Sequence, residues 1–142
     1  MLRLFLDANI IFAMVYSRSG ASKELAEQGK ARKVILFVNQ HALDEANEVI
    51  EEEYPTLKKS FAALCQSRIF QFCEADKNEV AAAVSVVADP DDAPIIAAAR
   101  KAKVDALVSF DRKHIHTPAV EKFINAPVIT AGDALVMLRR SD

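Results

Sequence analysis

Apolar and polar positions along this chain fall into blocks, and the period changes from block to block. Leu2–Leu6 is a short apolar run that reads as a strand ending at Asp7. The apolar stretch Ile10–Tyr16 follows as a helix, with Asn9, or Asp7 before it, available as its cap. Ser22 reads as the cap of a second helix, one that stops at Gly29, where a left-handed glycine would close it. Val34–Val38 is a continuous β-branched and aromatic run, as expected of a strand buried on both faces. Asn39 opens a long helix in which Ala42, Leu43, Ala46, Val49 and Ile50 recur at helical spacing. Pro55 starts the next helix, which extends to about Gln66. Arg68–Phe72 is a weaker strand and Asn78–Ala88 is helical. Pro90 and Asp91 punctuate the chain before a helix over Asp92–Lys103, with Ala93, Ile96, Ala97 and Arg100 on one period. Asp105–Phe110 is a strand ending at Asp111, Pro127–Ile129 is another, and Thr130 caps the last helix.

Strand and helix therefore alternate throughout, the pattern of an α/β fold with a parallel sheet covered on both faces. Connections between its strands should be right-handed. Ligands of such sheets bind outside the carboxyl ends of the strands, and Asp7 and Asp111 are both expected there. No repeat or low-complexity tract is visible, and with three Gly and five Pro there is no linker-like segment. A chain of 142 residues fits one domain spanning residues 1–142.

Composition narrows the function classes. An apolar fraction of 51% supports a real core and argues against disorder. Lys and Arg total 18 against 20 Asp and Glu, a formal net charge of -2, so a nucleic-acid partner would have to be met by a local basic patch. Cys65 and Cys73 have no Cys or His at metal-ligand spacing and read as buried small hydrophobes. The N-terminal stretch is apolar but carries Asp7 and Asn9 within it, and a membrane span needs about twenty apolar residues. The expectation is a soluble cytoplasmic protein with no membrane partner.

Four acids stand out by context. Asp7 and Asp111 follow apolar strands, Glu45 borders the buried stripe of a helix, and Asp92 opens a very apolar helix. Each has an ordinary reading alone: a cap for Asp7, a solvated helix position for Glu45, a dipole-favoured helix start for Asp92 and a turn for Asp111. Together they fit one cleft. Carboxylates gathered there repel one another unless a cation neutralises them, and hard oxygen donors without His or Cys favour Mg²⁺ or Mn²⁺. Phosphodiester hydrolysis suits such a centre. Arg18, Lys23, Arg112, Lys113 and His114 lie next to these acids in sequence and are candidate contacts to the phosphates of a nucleic acid.

In order, the chain has D-A-N after its first strand, then N-x-x-x-L-x-E-x-x-x-V-I, then D-x-x-I-x-A-x-A, then V-S-F-D-R-K-H-I. This order resembles the PIN-domain family, and in particular VapC-like toxin ribonucleases. APVITAGDALVML is similar to the family's last strand and helix, so the resemblance spans nearly the whole chain. It implies a three-layer α/β/α sandwich around a five-stranded parallel sheet. It implies metal-binding acids at Asp7, Glu45, Asp92 and Asp111, with Asn9 and Ser109 supporting them by hydrogen bonds and Asp91 as the alternative third acid. It further implies Mg²⁺- or Mn²⁺-dependent endonucleolytic cleavage of RNA, leaving a 3′-hydroxyl and a 5′-phosphate. An antitoxin protein and a homodimer are the partners that follow from it. Two other classes compete. A haloacid-dehalogenase phosphatase needs a second Asp two residues after the first, where this chain has Asn9. A catalytically degenerate PIN domain, serving as an RNA- or protein-binding module, would be expected to have lost some of the four acids.

Overall fold

The computed structural model describes residues 1–141. Five parallel strands form one sheet: β1 (Arg3–Leu6), β2 (Ile35–Val38), β3 (Phe70–Phe72), β4 (Ala106–Val108) and β5 (Val128–Ile129), in the order β3-β2-β1-β4-β5. The central strand β1 buries Leu4, Phe5 and Leu6 completely, which its uninterrupted apolar sequence requires. Edge strand β3 has two exposed residues of three, and it is also the strand with the weakest sequence pattern.

Eight helices among the described residues cover the two faces. On one side α1 (Ala8–Tyr16) packs between α2 (Ala21–Lys30) and α3 (Gln40–Glu53), with α4 (Lys58–Gln66) and α8 (Ala131–Arg140) flanking them. On the other, α6 (Ala93–Ala102) lies between α5 (Lys77–Val84) and α7 (Pro118–Ile124). Helix α6 buries seven of its ten residues, five of them alanines, so its backbone can sit close to the sheet. This is the three-layer α/β/α sandwich expected from the sequence.

The chain runs outward from β1 to β2 to β3, then crosses back to place β4 on the other side of β1. The strand order therefore reverses between β1 and β4, and a crevice opens where their carboxyl ends meet. Asp7 ends β1 there, its backbone N–H donating to the Val108 carbonyl at 3.0 Å. Ser109 and Asp111 follow β4 into the same place.

Several local expectations are corrected. Ser22 is not a cap: helix α2 starts from Gly20, whose φ of 103° suits glycine, and Ser22 is buried in the first turn. Gly29 does not stop α2. It lies within the helix, against β2, where an added Cβ would stand 2.6 Å from Leu36 Cδ1, so the position selects for size. Asn39 and Thr130 cap α3 and α8 as read, each accepting from a backbone N–H. The helix expected over Asn78–Ala88 is shorter and begins after Asp76, which forms a capping box with Glu79. Helix α7, started by Thr117 and Pro118, has no counterpart in the sequence reading. Cys65 is exposed and so is not the buried hydrophobe expected, while Cys73 is half-buried and packs against the core; desolvation pushes both thiols up, away from the reactive thiolate.

Candidate active site at the carboxyl ends of β1 and β4

Asp7 does two jobs in one position. Its Oδ1 accepts from the Ala8 N–H at 2.8 Å and caps α1, while Oδ2 turns towards β4. There the hydroxyl of Ser109 donates to Oδ2 at 2.7 Å, and Asn9 Nδ2 reaches the same oxygen at 3.4 Å. Asn9 also donates to Ser109 Oγ at 3.4 Å and accepts from the Phe110 N–H at 3.1 Å. Ser109 Oγ in turn accepts from the Asp111 N–H at 3.0 Å. The Asp111 carboxylate then takes the backbone N–H and the Nδ1 of His114, at 3.0 and 3.2 Å. Ser109, fully buried, is thus the link between the two strand-end acids, and its own carbonyl is held by His116 Nε2 at 2.6 Å.

The other two acids approach from the walls. Glu45 lies on the second turn of α3. Asp92 ends a 3-10 turn, Pro90–Asp92, that feeds α6, and Asp89 starts that turn by accepting from the Asp91 N–H at 3.0 Å. Asp91 points to solvent while Asp92 is half-buried. Asn39 ties the walls together: its Nδ2 donates to the Pro94 carbonyl at 3.2 Å while its Oδ1 caps α3.

The electrostatics follow from this gathering. Burial pushes the Asp7 carboxyl above the ordinary 3.8, against the pull of the Ser109 and Ala8 hydrogen bonds, and Asp111 pushes it the same way. Burial and then the nearby Asp7 raise Glu45, while His41 lowers it. Asp92 is driven from 3.8 to about 6, first by burial and then by repulsion from Asp7, Asp89, Asp111 and Glu45. Asp92 thus feels each of the other three acids, so the four meet in one field, and that field strains the Asp92 carboxyl most. An oxygen-only donor set under that strain fits a hard divalent cation. Among the described residues, however, no three His, Cys, Asp or Glu side chains stand close enough together to hold an ion as they are.

A PIN-domain family model matches residues 3–113, which takes in the first four strands and all four acids. The chain belongs to the PIN-domain family. Two solved structures share its fold at low identity. PAE2754 from Pyrobaculum aerophilum is 15% identical, with 98% of this chain and 90% of that one covered and a TM-score of 0.67. VapC20 of Mycobacterium tuberculosis, described as a sarcin-ricin loop cleaving toxin, is 14% identical over 78% of this chain and 91% of that one, with a TM-score of 0.57. A search of curated proteins found no match.

In this PIN domain the residues singled out in the sequence divide into two groups. Asp7, Asn9, Ser109 and Asp111 form one bonded network, with Glu45 and Asp92 within its field. His114 joins through Asp111, and Arg112 and Lys113 are exposed beside it. Arg18 and Lys23 are not neighbours of the acids. Nine residues of α1, at about 1.5 Å each, carry the chain roughly 14 Å from Asp7 before Arg18 is reached. Sequence reasoning passed over His41, His116 and Phe110. His41 stands four residues before Glu45 on one helix, a spacing that was open to inspection. The His116 and Phe110 contacts depend on a turn with no periodic signal.

No helix of the described residues is long and apolar enough to cross a membrane.

Proposed function

We propose that this PIN domain, taken as one unit over residues 1–142, is a metal-dependent endoribonuclease. The observation that carries the reading is the Asp7–Ser109–Asp111 network at the β1/β4 crevice, with Glu45 and Asp92 in its field. Asp7, Glu45, Asp92 and Asp111 would hold Mg²⁺ or Mn²⁺. A bound ion would supply polarisation of a phosphoryl oxygen and an activated water for attack on the phosphodiester. The chain's own groups do the positioning. Ser109 and Asn9 fix the Asp7 carboxylate, leaving its charge directed into the crevice. His114 holds Asp111 in a single orientation. Arg112 and Lys113 meet phosphates next to the crevice, and Arg18 and Lys23 meet a longer RNA at the far end of α1. Phe110, 46% exposed beside Asp111, offers a ring face on which a base can stack.

By analogy with VapC20, the RNA cleaver is the toxin of a toxin–antitoxin pair acting in the cytoplasm. The mutually packed rings of Phe12, Tyr16 and Tyr54, partly open to solvent, give an antitoxin or a second copy of the chain an apolar surface. A second reading, a binding module without catalysis, is favoured by the lack of a ready-made three-ligand cluster among the described residues.

One assay separates the two. Single-stranded RNA is incubated with the protein in Mg²⁺, Mn²⁺ or excess chelator, and the new ends are analysed. The nuclease reading expects internal cuts with 5′-phosphate and 3′-hydroxyl ends that vanish with chelator. RNA bound but uncut in both metals would establish the binding module.

A further inference from the structure

His41 occupies the first turn of α3, and its single Nε2 faces two acceptors. One is the Glu45 carboxylate, one helical turn on, and the other is the Asp91 backbone carbonyl at 3.0 Å, fifty positions away in the chain. A proton on Nε2 can be shared between them. Among the described residues Glu45 has no other hydrogen-bond or ion-pair partner. Its carboxylate is thus turned along its own helix to His41, and it is absent from the bonded network of Asp7, Ser109 and Asp111. The wall that carries Asp92 does not depend on His41, because Asn39 ties α3 to Pro94 independently.

We propose that His41 is a positioning residue that holds Glu45 aside while the acidic crevice is empty and yields it to the incoming divalent cation, so that the strength of the His41–Glu45 contact sets metal affinity. The inference rests on the metal-dependent reading above and adds a residue to it. Its logic is competition. Whatever His41 contributes to Glu45 in the metal-free protein, the cation must replace. Removing His41 leaves Glu45 uncompensated, and the crevice should then bind the cation more tightly. A mere helix-surface pair would leave metal affinity unchanged, and a contact needed to shape the wall would weaken binding when lost.

The test is calorimetric titration of Mn²⁺ into wild type, His41→Ala, His41→Gln, Glu45→Gln and His41→Ala/Glu45→Gln, each first shown to be folded by circular dichroism. His41→Ala should bind about two- to five-fold more tightly than wild type, the factor for loss of a partly exposed ion pair. His41→Gln, which keeps an N–H donor, should return towards wild type. In the Glu45→Gln background, removing His41 should change nothing. Equal or weaker binding by His41→Ala overturns the proposal and leaves the metal reading standing. A tightening that persists in the Glu45→Gln background also overturns it, since the effect would not run through Glu45. No Mn²⁺ uptake by folded wild type removes both readings together.

Discussion

Asp92 shows most clearly how single residues feel the crevice. Its carboxyl, pushed to about 6, takes up a proton in the folded chain at a pH where the unfolded chain, with an ordinary value of 3.8, stays ionised. Between about 6 and 4 the folded state therefore binds more protons, so stability rises as pH falls through that window and is lost as pH rises through 6. Asp7 and Glu45, also raised, act in the same direction. The metal-free melting temperature should accordingly climb as pH is lowered from 7 to 5. Asp92→Asn should be as stable as wild type or more so at pH 7, despite losing a helix-start benefit of about 0.3–1 kcal/mol, and should show a smaller climb. Melts in chelator across that range decide it. A clear loss of stability in the variant at pH 7 would make Asp92 a structural acid. The strand-end acids were legible in the sequence because a carboxylate directly after a buried strand has few reasons to be there. The i,i+4 spacing of His41 and Glu45 was open to inspection, but the contact of His41 with the Asp91 carbonyl was not, because it joins chain segments fifty residues apart.

At the scale of elements, α3 and α6 could be read because a long amphipathic period and a capping residue agree. Asn39 caps α3 as its sequence context suggested. Helix α2 and α7 mark where such reading stops. Gly29 satisfies the usual stop signal, but its place is dictated by Leu36 across the sheet, which no local pattern reveals. Helix α7 spans only seven residues, too few to display a period, although Thr117 and Pro118 were its start signals all along. Gly29→Ala tests the packing account. The gain in helix propensity is about 1 kcal/mol, and overpacking the fully buried Leu36 costs about 1–3 kcal/mol. A net destabilisation of about 1 kcal/mol should appear in urea melts, whereas a stabilised variant would mean that Leu36 moves aside freely. The turn after β4 is tested separately. Arg112→Ala/Lys113→Ala should weaken RNA binding and flatten its salt dependence, each lost phosphate contact lowering the slope by about 0.7 for a single strand. An unchanged slope would route the RNA elsewhere.

The whole molecule places its chemistry by topology. The chain leaves β1, builds two strands to one side, and returns to build β4 on the other, and that reversal alone brings Asp7 and Asp111 together from positions more than a hundred residues apart. The sandwich class and the parallel sheet followed from strand–helix alternation. The strand order did not, because alternation is silent about which neighbour a strand chooses. Everything proposed about function depends on that crevice acting as one unit. The most direct measurement is single-turnover cleavage of a single-stranded RNA in Mn²⁺ by wild type, Asp7→Asn, Asp92→Asn and Asp91→Asn, each shown to be folded. Cleavage should fall by more than about 100-fold in Asp7→Asn and Asp92→Asn, beyond the 10–100-fold typical of residues one shell removed from a metal, while Asp91→Asn stays near wild type. Wild-type rates in folded Asp7→Asn would contradict the account at its centre.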